Sequence, residues 1–228
     1  MKDFVAPRAM RTLYVLWLNV AFLRPLLDKI MIRTFDRLAA DWDARTAAPG
    51  RLDPLAVALS RLHHAPARTL EMGCGTADAS LLLGERFPSA WLVAIDISSE
   101  MLDAAQTNAR EAGAAIQFFE SPNYQTGFDD ESFDLVVLVN VPPPFGEIER
   151  LLTPHGHAII VFTKGSDTWF YSRPSRLKRG FASVGMVEEQ CGQEGAGEYF
   201  VAKLGAVPVR SGVDPKTKKN ARVAEVPR

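Results

Sequence analysis

Three stretches of this 228-residue sequence predict an α/β fold. Arg68-Thr69-Leu70-Glu71-Met72 is a short buried strand, Gly73-Cys74-Gly75-Thr76-Ala77 is a glycine turn, and Ala79-Ser80-Leu81-Leu82-Leu83 belongs to the helix that follows. Trp91-Leu92-Val93-Ala94-Ile95-Asp96 repeats the apolar strand closed by an acid, with a helix from Ser98-Ser99-Glu100 through Met101, Leu102, Ala105 and Ala109. Phe133 to Val139 is a third apolar strand, introduced by the acidic loop Asp129-Asp130-Glu131. Strands that alternate with helices stack into a mainly parallel sheet covered by helices.

Composition agrees with one globular domain and short additions: 47% of the residues are hydrophobic and the net charge is −1. A near-neutral chain lacks the basic excess of nucleic-acid proteins, so no nucleic-acid partner is expected. Cys74 and Cys191 are the two cysteines, which leaves neither a disulfide framework nor a metal-ligand pattern and fits a reducing, cytoplasmic compartment.

From the amino end, Leu13 to Leu23 is almost wholly apolar, with Lys2, Arg8 and Arg11 before it. It falls short of the ~20 residues that span a bilayer, and no small-residue cleavage site follows it. Leu13, Leu16, Val20, Leu23, Leu27 and Ile30 make one helical stripe with a kink expected near Pro25. Residues 12–32 therefore read as a helix packed on the domain, on the second copy of a homodimer, or on a membrane surface as a peripheral contact. Arg33 to Asp43 gives a second helical segment with Phe35, Leu38 and Trp42 on one face. Asp53 and Pro54 start the next helix, which Ala65-Pro66-Ala67 closes. Residues 1–50 are thus a helical extension, 51–205 the main domain, and 206–228, rich in Pro, Lys and Arg, a disordered tail.

After Asp96 the strands continue with Ala115 to Glu120, the Phe133 strand, and Ala158 to Phe162, the last preceded by a turn at Thr153-Pro154-His155-Gly156. Ser175 to Val184 is a helix, and Val187–Cys191 and Glu198–Lys203 are the closing strands. Turns of this kind lie at the amino end of a strand, so His155 and His157 are expected away from the ligand crevice, which forms at the carboxyl ends.

The glycine turn and the helix start behind it suit a nucleotide-like cofactor. The dinucleotide fingerprint G-x-G-x-x-G would need glycine at Asp78, which disfavours an NAD-dependent oxidoreductase. Glu71-Met72-Gly73-Cys74-Gly75-Thr76-Ala77 instead resembles the acid-x-G-x-G-x-G motif of class I S-adenosylmethionine (SAM) dependent methyltransferases, with Ala77 in place of the third glycine. Asp96-Ile97-Ser98-Ser99-Glu100-Met101 is similar to the next motif of that family, and Phe35-Asp36 with Trp42-Asp43 resembles the segment preceding the core in its ubiquinone and menaquinone members. The resemblance, over about residues 68–204, implies a doubly wound, mainly parallel, seven-stranded Rossmann-like sheet with an antiparallel last strand.

It further implies SAM as cofactor, held by Glu71, Gly73, Cys74, Gly75, Asp96, Ile97, Met101 and Asn140. Asp96 would take the ribose diol, Ile97 and Met101 would flank the adenine, and Glu120 or Asn123 would face its amino group. Asn140-Val141-Pro142-Pro143-Pro144-Phe145 is similar to the Asn-Pro-Pro-aromatic motif of amino-group methyltransferases, but Val141 intervenes, so the prolines read as a rigid wall. Pro142, Pro143, Phe145, Trp169 and Tyr171 are the substrate-side candidates. The implied reaction is transfer of the SAM methyl group to a nucleophile, with no catalytic base singled out, and the apolar N-terminal helix points to a small hydrophobic acceptor such as a lipid or quinone. A SAM-binding or membrane-associated protein without catalysis is the alternative.

Overall fold

The computed structural model describes residues 24–205. The elements are α1 (Arg24–Ala39), α2 (Trp42–Thr46), α3 (Asp53–Ser60), β1 (Arg68–Met72), α4 (Asp78–Arg86), β2 (Trp91–Asp96), α5 (Ser99–Glu111) and β3 (Ile116–Glu120). They continue with β4 (Phe133–Val139), α6 (Phe145–Leu151), β5 (Leu152–Phe162), α7 (Pro174–Ala182), β6 (Met186–Glu194) and β7 (Gly197–Leu204).

All seven strands join one sheet in the order β3-β2-β1-β4-β5-β7-β6. β1 to β5 run parallel, and β7 inserts antiparallel between β5 and β6. This is the Rossmann-like sheet expected from the sequence, including its antiparallel last strand. Central strands flanked on both sides must be apolar throughout, and Leu70, Met72, Val93, Ile95, Val136, Val137, Ile159 and Ile160 are fully buried. One face packs on α6 and α7 through Ile148, Leu151, Leu177 and Phe181. The other packs on α3 and α4 through Leu55, Leu59, Ala79 and Leu83. Strand order reverses between β1 and β4, and a parallel sheet opens a crevice at such a point.

Two expectations are corrected. The helix before the domain is one element from Arg24 to Ala39 that passes through Ile32 and Arg33, because no Gly or Pro separates them and the Thr34 hydroxyl donates back to the Ile30 carbonyl at 2.7 Å. Pro25 falls in its first turn, where a missing N–H costs nothing; the apolar run Leu13 to Leu23 and the tail 206–228 lie outside the described residues. β5 begins at Leu152 rather than at Ala158. Leu152 pairs with Phe133 and His157 with Leu135, with an irregularity between the two pairs that absorbs the expected turn. His155 is exposed near the amino end of β5, and His157 pairs with Glu189 at 3.0 Å, both away from the crevice.

Candidate active site

A cleft of about 340 Å³ lies over the carboxyl ends of β1, β2, β4 and β5, roofed by α1 and α2. Its floor is the glycine turn. Gly73 and Cys74 both donate backbone N–H groups to the Ile95 carbonyl, at 2.7 and 3.0 Å, which ties the turn to β2. Gly73 has φ +75°, and a β-carbon there would lie 2.6 Å from Val141 Cγ2, so the turn and the β4 exit fit only without a side chain. At Gly75, φ +54°, such a carbon would be in van der Waals contact with Trp42 Nε1 of the roof at 3.5 Å. Ala77 carries the left-handed conformation, φ 77° and ψ 17°, that leads into α4.

Asp96, at the end of β2, is braced by the turn. Oδ2 accepts from the Gly75 N–H at 2.8 Å and Oδ1 from the Ser98 N–H at 3.0 Å. Enclosure by protein pushes its carboxyl above the usual range, opposed by the N–H groups of Ser98, Gly75 and Ile97. Carboxylate oxygens have several acceptor positions each, so capacity remains for a vicinal diol. Glu71 is buried at the end of β1 and accepts from the Ser80 hydroxyl. Burial lifts its carboxyl to about 8, against the Ser80 hydrogen bond and reinforced by the neighbouring Asp96 charge. Burial likewise pushes the Cys74 thiol well up, so it is no thiolate nucleophile.

The roof is fastened to the floor by carboxylates that accept from the core. Asp36 of α1 accepts from the Ser98 hydroxyl at 2.6 Å, and that same hydroxyl accepts the Met101 N–H at 3.2 Å to cap α5. Asp43 of α2 accepts from the Thr76 hydroxyl and from Asn108 Nδ2, the latter at 3.1 Å. Asp28 accepts from the Tyr124 hydroxyl, and Arg51 forms an ion pair with Asp78 in the first turn of α4. Leu27, Met31, Phe35, Leu38 and Trp42 line the cleft together with Trp169 and Phe170.

Of the residues singled out in the sequence, Glu71, Gly73, Cys74, Gly75, Asp96, Ile97, Met101 and Asn140 all line this cleft, with Pro142 and Trp169. Asn140 has φ 59° and joins the ends of β4 and β5: Oδ1 accepts the Thr163 N–H at 2.8 Å and Nδ2 donates to the Thr163 hydroxyl at 2.9 Å. Asn123 lines the cleft while donating to the Pro142 carbonyl at 3.2 Å, whereas Glu120 is exposed outside it. Pro143, Phe145 and Tyr171 also fall outside the lining. Pro143 is buried, Phe145 packs edge-on to Phe181 over Gly180, and Tyr171 packs on Phe162 and donates to Glu198 at 2.9 Å. Adjacency in sequence misled here, because successive residues of a turn face different sides. Arg51 and Tyr124 line the cleft without having been singled out for it, and Thr163, Lys164 and Thr168 line it beside Trp169, where a position just past a parallel strand's carboxyl end places them. No histidine lines the cleft among the described residues.

Residues 69–156 match the family model described as a methyltransferase domain. Over 107 residues the chain is 32% identical to the demethylmenaquinone methyltransferase of Thermus thermophilus, covering 44% of this chain and 49% of that protein. Over 154 residues it is 30% identical to a malonyl-[acyl-carrier protein] O-methyltransferase of Geobacter sulfurreducens, covering 62% of this chain and 56% of that protein. The chain thus spans about half the length of the curated relatives it matches. A solved SAM-dependent methyltransferase from Aquifex aeolicus superposes with a TM-score of 0.61 at 17% identity, over 73% of this chain and 97% of that one. The DhpI–SAH complex superposes equally well, at 0.61 and 17%, over 79% of this chain and 98% of that one. At such identities the superpositions establish the shared fold.

Proposed function

We propose that this chain, which carries a methyltransferase domain on the class I Rossmann-like fold, transfers a methyl group from SAM directly to a small hydrophobic acceptor. The observation that carries the reading is the lining of the cleft, which combines Asp96, Glu71 and the glycine turn with the apolar side chains of Met31, Phe35, Leu38, Trp169 and Phe170. The residues fit the cofactor, since Asp96 retains acceptor capacity for a ribose diol and Gly73 and Gly75 line the cleft without side chains. When bound, SAM supplies an electrophilic methyl on a sulfonium. The chain's own task is then to orient the acceptor in line with that methyl and keep water out. Ile97 and Met101 offer apolar surface for a flat base, Asn123 stands beside Pro142 with its amide, and the aromatic wall positions the acceptor.

Demethylmenaquinone and malonyl-carrier relatives leave carbon and oxygen acceptors both in view, and the apolar wall favours a quinol-like or acyl acceptor over a polar one. Residues 12–32 are read with the same acceptor in mind, as the part that brings the protein to a membrane. No helix among the described residues is long and apolar enough to cross one. The test is calorimetry with S-adenosylhomocysteine and with NAD, followed by methyl transfer to a panel of quinols, acyl carboxylates and amines. S-adenosylhomocysteine should bind, with affinity falling about 10–100-fold in Asp96→Asn, in line with about 1.5–3 kcal/mol for a charged hydrogen bond. Binding of NAD alone would overturn the cofactor assignment, and tight S-adenosylhomocysteine binding without turnover on any acceptor would favour the non-catalytic reading.

A further inference from the structure

The roof helix α1 separates its charges by face. Its acids Asp28 and Asp36 turn inward and are used by Tyr124 and Ser98. Lys29, Arg33 and Arg37 are exposed on the opposite side, and none of them makes an ion pair among the described residues. Leu26 and Ile30 lie in the same outward stripe, 58% and 38% exposed, and they are two of the three large apolar side chains exposed among the described residues. Positions 26, 29, 30, 33 and 37 follow one helical face.

From this stripe we infer that the outer face of α1 docks on an anionic phospholipid surface. Two apolar side chains interleaved with three cations that have no ion-pair partner among the described residues match a headgroup layer, where Leu26 and Ile30 enter the acyl boundary and the cations meet phosphates. The inner face of the same helix supplies Leu27, Met31, Phe35 and Leu38 to the cleft, so docking brings the apolar wall against the lipid that would hold a hydrophobic acceptor. That consequence rests on the acceptor reading above; the docking itself does not.

The test measures sedimentation of the full chain with vesicles of phosphatidylcholine alone and with phosphatidylglycerol added, without acceptor or methyl transfer, so its failure is distinguishable from failure of the proposed activity. The wild type should prefer the anionic vesicles and be released by salt. At about fivefold per cation, the Lys29→Gln, Arg33→Gln, Arg37→Gln triple variant should bind about a hundredfold more weakly. Leu26→Ser with Ile30→Ser should weaken binding at any salt concentration. Both variants should keep the wild-type melting temperature and S-adenosylhomocysteine affinity, since none of the five residues lines the cleft. Equal binding to both vesicle types, undiminished binding by the triple variant, or a wild-type dimer that the Leu26 and Ile30 changes split in the absence of any vesicle binding would overturn the proposal.

Discussion

Ala77 holds a left-handed backbone at the entrance to α4 with its methyl group fully buried. That conformation costs an L-residue about 1–2 kcal/mol. Ala77→Gly removes the strain but gives up a buried methyl, about 0.8 kcal/mol, and adds about 0.5–1 kcal/mol of unfolded-chain entropy. The opposing terms predict a stability within about 1 kcal/mol of wild type in urea titration. Ala77→Val, branched at the β-carbon and larger in a closed space, should lose at least about 2 kcal/mol; equal stability for the two variants would refute the strain argument. Glu71 makes a second prediction through pH. Its folded-state carboxyl titrates at about 8 against an ordinary 4.5, so the folded protein binds a proton that the unfolded chain has released. The stability that Glu71 contributes is therefore complete below about pH 4.5 and is lost as pH rises through about 8. Glu71→Gln cannot titrate, and its melting temperature should fall less than that of the wild type between pH 5 and 8. Parallel curves would show that Glu71 is not the titrating group.

At the scale of elements, α1 and α2 are held over the cleft, among the described residues, by a few polar contacts and a small apolar cluster of Leu38, Ala39 and Met101 with Phe35, Trp42 and Trp169. Removing Asp36 and Asp43 leaves Ser98, Thr76 and Asn108 without these partners while touching nothing in the sheet. The Asp36→Ala, Asp43→Ala double variant should exchange amide hydrogens faster in α1 and α2, bind S-adenosylhomocysteine several-fold more weakly, and keep the protection of β1 and β4. Unchanged exchange in α1 would mean that apolar packing alone holds the roof. These fastenings were not legible in the sequence, because Asp43 and Thr76, or Asp36 and Ser98, meet only after the sheet has formed. The floor was legible for the opposite reason. Gly73, Gly75 and Asp96 are set by local requirements, a sharp turn and a strand end, that leave their signature within a few residues. Phe145 and Tyr171 were placed on the substrate side by neighbourhood alone, and the packing of each against α7 or β7 was a tertiary choice that no short window contains.

The whole molecule has its stability concentrated away from its roof. Among the described residues both large apolar clusters draw their members from Leu52 onward, and neither includes a residue of α1 or α2. The parallel strands were readable from apolar stretches such as Leu92 to Ile95 and Leu135 to Val139, whereas the start of β5 was hidden by Pro154 and Gly156, which resemble a free turn. A chain beginning at residue 49 retains Leu52, Pro54 and Leu55 under β5 and β7 and also Arg51 for Asp78. It should therefore unfold in one cooperative transition. The same chain lacks Phe35, Leu38 and Trp42, so one wall of the cleft is open to water, and every electrostatic contact inside is weakened by the higher local dielectric. It should bind S-adenosylhomocysteine at least about tenfold more weakly, since about 1.4 kcal/mol of lost contact suffices, and should give no turnover on hydrophobic acceptors. A truncated chain that melts without cooperativity would make the roof part of the folding unit. One that turns over as fast as the full chain would remove α1 and α2 from the acceptor site.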